Sequence, residues 1–360
     1  MFALLTKRLA RSLWRTKIRL IAVVLMVVVG VFAGISFAVY AHTASGIYDV
    51  IYADTDDGAN LPDVWVENPS GTWEGGTSDS ICTDIADHWP ESELVLNECE
   101  PRLKLDGLLF HTDDGGEEAL VTAVWYGIDE GYVDRVWFPD HDCCSGTVAS
   151  ADDEIVVDAR VASGMDVGIG DTISIGAGFG SLDYTVVGTG HISSYLYFAP
   201  EGSLFPADPG TFATGYLSAA GLERLANLSP GASNLLLIDV VGTPEYDLQS
   251  TTEVEGEELS ALMEGITAVM TETDDSHSLV YDRSGVNSVE FLRADAEGAM
   301  KTYVPLTAMI AIVAGITIFL SLQRLVQSQA REIAILRTLG IPRGAIIPGY
   351  VIAPLLIGLV

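Results

Sequence analysis

Two long uncharged runs decide what this chain can fold into. Leu20 to Ala41 is 22 residues without a charge, and Val304 to Leu322 is 19. A helix rises 1.5 Å per residue, so each run can cross a hydrocarbon core roughly 30 Å thick. The apolar stretch of a secretory leader is normally about 7–15 residues, so the first run reads as a retained anchor rather than a cleaved signal. A third apolar stretch, Ala345 to Val360, has 16 residues and reads as a third span cut off by the end of the sequence.

Charge tells which side of a membrane each part occupies. The 360 residues carry 18 Lys+Arg against 50 Asp+Glu, a net charge of −32, yet mean hydropathy is +0.33. The two properties coexist because they are segregated. Residues 1–41 hold six basic residues and no acid, residues 301–360 hold five and one acid, Glu332, and residues 42–300 hold seven against 49. Basic flanks stay in the cytoplasm, which places the amino terminus inside, the plasma membrane around a multi-pass protein, and the acidic middle outside. An ordinary cytosolic enzyme is excluded. Nucleic acid is not expected as a partner, because the central domain has no basic stripe to meet phosphates. The acids match no D-x-[DN]-x-[DN]-G calcium loop. With four lysines against fourteen arginines, they read as a solvated surface adapted to saline surroundings, where salt screens self-repulsion.

The middle is long enough for one large or two modest domains. A strand at Asp63 to Glu67, a helix near Ser78 to Trp89 and strands in 94–110 and 119–127 open it. A strand at Leu235 to Val241, a helix near Glu253 to Met270 and a strand near Ser278 to Tyr281 close it. Strand–helix–strand units at both ends predict one α+β module whose halves are separated in sequence. Between them lies a β-rich insert, about 145–230, with a short helical segment near 156–168. Its glycine cluster GIGDTISIGAGFG has neither G-x-G-x-x-G spacing nor a lysine, so hairpin turns explain it better than a nucleotide loop. The expected fold is therefore membrane α-helical spans plus a large α+β extracytoplasmic domain.

All four cysteines, Cys82, Cys99, Cys143 and Cys144, lie in that domain. An even count outside the cell suggests disulfides, with three pairings open. Cys82 on a helix and Cys99 on the next strand form one candidate pair, and adjacent Cys143 and Cys144 a rarer vicinal bridge. A metal site from Asp140, His141, Asp142, Cys143 and Cys144 is the competing reading, opposed by the fact that contiguous residues cannot all point at one ion. No metal or other cofactor is expected. Asn227-Leu228-Ser229 is a glycosylation sequon. His42, His88, His111, His141, His191 and His277 are scattered, and neither G-x-S-x-G nor H-E-x-x-H occurs, so an ectoenzyme finds no support.

After the second run, Gln323 to Leu339 keeps helical periodicity, with Leu325, Ile333 and Leu336 on one face and Arg324, Arg331 and Arg337 off it. Gly340 and Pro342 stop it. The string REIAILRTLGIPRGAI resembles the cytoplasmic coupling segment of FtsX/MacB-type ABC transporter permeases. FALLTKRLARSLWRTKIRL is similar to that family's basic amphipathic amino-terminal helix, and EIVVDARVASGMDVGIGDTISIG followed by YTVVGTG resembles its extracytoplasmic domain, a porter-like α+β part (βαβ halves) with a β-rich insert.

The resemblance implies a permease subunit without catalysis of its own, working with a cytoplasmic ABC ATPase and a second permease copy, as a homo- or heterodimer. No lysine sits in G-x-x-x-x-G-K-[ST], so ATP hydrolysis falls to a separate subunit. The implied parts are a basic helix at 1–19, transmembrane helices at 20–41 and 301–322, the outer domain at 42–300, a coupling segment at 323–344 and the start of a third span at 345–360. Ile333, Leu336 and Leu339 are expected to fill an ATPase groove, with Arg331, Glu332 and Arg337 at its rim and Gly340 setting the turn. The family either moves amphiphilic cargo or transmits motion to an extracellular partner protein. The competing class is a membrane-anchored receptor or adhesion protein with no ATPase.

Overall fold

The computed structural model describes residues 17–52, 60–89, 94–112, 118–129, 131–139, 143–178, 180–203, 205–241, 257–273, 277–328, 330–340 and 342. The amino-terminal basic segment through residue 16, the residues from 343 onward that carry the third apolar stretch, and Asp140, His141 and Asp142 lie outside them. The chain divides into two compact units, Ser45–Asp295 and Met1–Ala44 with Ala296–Val360.

The larger unit opens on β1 (Val64–Glu67), α2 (Thr77–Asp87) and β2 (Leu96–Thr112), where α1 is the preceding helix Lys17–Ile51. It closes on β9 (Leu235–Val240), α5 (Glu257–Thr273) and β10 (Leu279–Asp282). The two strand–helix–strand halves interleave in one antiparallel sheet, β10-β1-β9-β2. In chain order of its four strands that is 4-1-3-2, a ferredoxin-like split βαβ arrangement. Side chains alternate across a strand. Val64 and Val66, with Leu236 and Ile238, therefore face α2 and α5 and pack on Ile81, Ile85, Leu262 and Ile266. Trp65, Leu235 and Leu237 turn to the other face.

Between the halves run β3 (Glu118–Gly127), β4 (Ser145–Gly146), β5 (Glu154–Asp158), α3 (Ala159–Met165), β6 (Thr172–Ala177), β7 (Gly180–Gly190), β8 (Phe212–Leu217) and α4 (Ala219–Ala226). Their pairings close on themselves in the order β2-β3-β8-β5-β7-β6 and back to β2. This is a six-stranded barrel, and closure leaves no strand edge along that ring. Its interior is filled by side chains such as Trp125, Ile155, Ile175 and Tyr184. Trp125 donates from Nε1 to the Gly176 carbonyl at 3.0 Å, so its polar edge is satisfied while the ring is buried. Gly178, at φ 60°, starts the β6–β7 hairpin turn, the role expected of the glycine cluster.

The β-rich part draws on more chain than 145–230, because β2 serves both sheets. Residues 96–102 pair with β9, and residues 103–112 pair with β3 and β6. Pro101 sits in the first half, where β2 is the sheet's edge strand and a missing N–H breaks no ladder.

In the smaller unit, α1 is 35 residues long and α6 (Asn287–Ser328), which begins in the larger unit, is 42 with Pro305 inside it. They meet where α1 is thinnest: a Cβ on Gly30 would stand 3.0 Å from Ile310 Cγ2, and one on Gly34 3.4 Å from Thr307 Cγ2. Glycines four apart let helix backbones approach closely. Away from that seam Phe32 and Phe319 are exposed. Among the described residues one helical stretch, Asn287–Leu320, is long and apolar enough to cross a membrane, and Val28–Thr43 is a shorter apolar stretch.

Candidate functional site

Of the segment 323–344 that the sequence marked as a coupling element, residues 323–328 continue α6 and Ala330–Thr338 form α7. Leu339 N–H donates to the Ile335 carbonyl at 3.1 Å and Gly340 N–H to the Arg337 carbonyl at 3.0 Å, which ties off the last turn. Gly340 has φ 81°, a left-handed conformation that a Cβ would strain, and Pro342 follows. Arg331, Arg337 and Leu339 are exposed, and so is Ile335, which the sequence had not singled out. The side chains of Glu332, Ile333 and Leu336 lie outside the described set.

A second candidate lies in the larger unit, on the sheet face opposite α2 and α5. Register places Tyr281, Trp65, Leu237 and Glu100 in one row across β10, β1, β9 and β2. The Trp65 and Tyr281 rings stack, centroids 5.8 Å apart and 2° from parallel. Over this row, segment 194–202 brings Tyr195, Tyr197 and Glu201, enclosing a cleft of about 310 Å³. Its walls are aromatic and its ends charged. Arg102 is buried at one end, donating to Glu100 Oε1 at 2.6 Å, the Val133 carbonyl at 2.7 Å and the Asp134 carbonyl at 2.8 Å. Lys104 pairs with Glu201. Tyr281 donates to Glu67 Oε2 at 3.3 Å; burial, and then the Glu67 charge, raise its phenol above the ordinary value. Such a cleft offers stacking surfaces and fixed charges, and within its lining Ser194 Oγ donates to Asp134 Oδ2 at 2.6 Å. Sequence reading missed the cleft, since its residues come from five strands and from separate segments at Asp134, 194–202 and 285–287; the alternate positions of Trp65 and Glu67 on a strand were the available signal.

A third cluster sits at the barrel end. Asp158 caps α3, accepting the Arg160 N–H at 2.9 Å, and the same carboxylate accepts Arg160 Nε and Nη2 at 2.7 Å each. His191 Nδ1 is 2.9 Å from Asp158 Oδ2. Burial alone would raise the Asp158 carboxyl, but the bonds from Arg160 and His191 outweigh it and hold the group below the ordinary carboxylate value.

Cys82 is joined to Cys99, and Cys143 to Cys144. Asn227 is exposed and left-handed at φ 53°, ending α4, a local reason for asparagine there.

No family model matches the chain, and no curated protein does. Among solved structures, it is similar in part to the extracellular domain of the noncanonic ABC-type transporter YknZ from Gram-positive bacteria. Identity there is 10%, with a TM-score of 0.34, over 61% of this chain and 99% of that one. It is also similar in part to a domain of a permease protein from Porphyromonas gingivalis, at 12% identity and a TM-score of 0.27, over 61% of this chain and 87% of that one.

Proposed function

We propose that this chain is the transmembrane subunit of an ABC-type permease of the FtsX/MacB kind, in which a separate cytoplasmic ATPase moves the outer domain. The observation that carries the reading is the REIAILRTLG helix, closed by Gly340 and presenting exposed Arg331, Arg337 and Leu339. Supporting it, α6 at 42 residues is roughly 63 Å long, about twice a hydrocarbon core, so one helix suffices for a span and an outer extension. In this reading Ile333, Leu336 and Leu339 enter a groove on the ATPase, Arg331, Glu332 and Arg337 pair at its rim, and two permease copies flank the motor. The cargo is an amphiphile or the output is motion passed to an extracellular partner. The acidic surface suits a saline exterior.

The test is isolation of the full chain from native membranes. A co-purifying Walker A ATPase that the chain stimulates supports the reading, and Leu336→Asp is expected to abolish that stimulation with insertion intact. Full stimulation in Leu336→Asp sinks the docking.

The aromatic cleft favours a second reading, an anchored extracellular receptor that binds a ligand without an ATPase. Ligand capture by a chain that never co-purifies with an ATPase supports that alternative.

A further inference from the structure

Away from α7 and the cleft, one group of metal-ligating atoms converges among the described residues. Cys143, Cys144 and His191 each offer a ligand atom, all within 4.8 Å of one another. They come from two segments that the barrel clips together. The cysteines directly precede β4, His191 directly follows β7, and β4 pairs with β7 through Ser145↔Thr189 and Gly146↔Gly188. Thr189 Oγ1 donates to the Cys143 carbonyl at 3.0 Å, while Trp137 and His191 exchange backbone hydrogen bonds of 2.6 and 3.0 Å.

The imidazole is also oriented. Its Nδ1 lies 2.9 Å from Asp158 Oδ2; with Nδ1–H donating to that carboxylate, Nε2 keeps the free lone pair. Carboxylate–histidine pairs of this kind fix the tautomer and ring angle of metal-binding histidines. Three ligands from two anchored segments also remove the objection to a contiguous set, since only two neighbours have to share an ion.

We propose that Cys143, Cys144 and His191 form a redox-gated site for a thiophilic divalent cation of the zinc type, closed while the two sulfurs are bonded and open once they are reduced. A dithiol reductant supplies two electrons and two protons; the Cys143–Cys144 bond breaks to two thiols, and the donor closes to its own disulfide. The cation then displaces both thiol protons and is held by two thiolates and neutral Nε2, with water in the fourth tetrahedral position. The two negative charges balance the cation, and thiolate ligands select zinc over calcium, which takes oxygen ligands. The acidic surroundings raise the local cation concentration.

Co²⁺ is the probe, because thiolate ligation gives it near-ultraviolet charge-transfer absorption and tetrahedral geometry gives intense visible bands. The full chain in detergent, reduced by a phosphine, is expected to bind one Co²⁺ with both signatures, and the air-oxidised chain none. Reduction also opens Cys82–Cys99, so a Cys143→Ser/Cys144→Ser chain is the control and is expected to lose the signal. Asp158→Asn is expected to weaken binding about 10–100-fold with the thiolate bands retained, as loss of a partner behind a ligand does. A reduced chain without the bands, or a double-serine chain that keeps them, overturns the proposal.

Discussion

The larger unit contains two β modules built from one shared strand, and they differ in what they leave open. The four-stranded sheet packs α2 and α5 on one face, and its other face carries stacked Trp65 and Tyr281 beside segment 194–202, with Val286 and, from α6, Val289 packed against it. The barrel closes on itself and fills its interior, with Trp125 and Ile155 at 0% exposure. Closure turns the barrel's apolar side chains inward and leaves its polar cluster at one end, whereas the sheet's second face keeps an aromatic cleft. The modules also treat buried charge differently. Arg283 and Asp63 form a pair 2.9 Å long with both side chains wholly buried, whereas Asp158 is sealed but its partner Arg160 keeps a third of its side chain in solvent. The sheet module seals its Arg283–Asp63 pair from water, and the barrel keeps a polar end partly in solvent.

Four measurements break or sharpen this contrast, each read as unfolding of the full chain in detergent. The largest effect is expected from Arg283→Met, which strands the buried Asp63 carboxylate and costs about 3–5 kcal/mol; a loss below about 1 kcal/mol would show that the pair is not sealed from water. Next, Cys82→Ser with Cys99→Ser removes a link spanning 17 residues in the sheet module. The chain-entropy relation gives about 3 kcal/mol, and Co²⁺ binding at the proposed Cys143–Cys144–His191 site should be unaffected. Asp158→Asn comes third, at roughly 1.5–3 kcal/mol near neutral pH. The carboxyl is held below its ordinary value in the fold, so its contribution is full above about pH 4 and is lost as pH falls further. The wild-type and Asp158→Asn curves should therefore converge in acid, and a gap independent of pH would contradict the cause given. Smallest is Lys104→Ala at the cleft mouth, where Glu201 is 59% exposed; the loss should stay under about 1 kcal/mol and shrink with salt.

Much of the architecture was legible because it rests on short-range pattern. The strand at Val64–Glu67, the helix at Thr77–Asp87 and the strand–helix–strand at the far end follow from periods of 2 and 3.6. Barrel closure was not legible. It needs the parallel β3–β8 pair and the β2–β6 pair, neither of which local propensity encodes. Nor did anything announce that β2 runs for 17 residues and changes partners after Arg102. The same gap explains the sites. Gly340 and Pro342 mark the end of α7 within a few residues, while His191 meets Asp158 across 33 residues and the cysteines across a strand pairing. Among six scattered histidines, sequence alone had no means of choosing that one.

The central claim is that α7 lies on the cytoplasmic side, where a nucleotide-driven partner grips it. A cysteine at Leu339, which is 72% exposed, reports this directly in a chain whose native cysteines are serine. The account predicts that a membrane-impermeant maleimide leaves it unlabelled in intact cells and modifies it after permeabilisation. Labelling at the same rate before permeabilisation would put the helix outside, beyond reach of any ATPase.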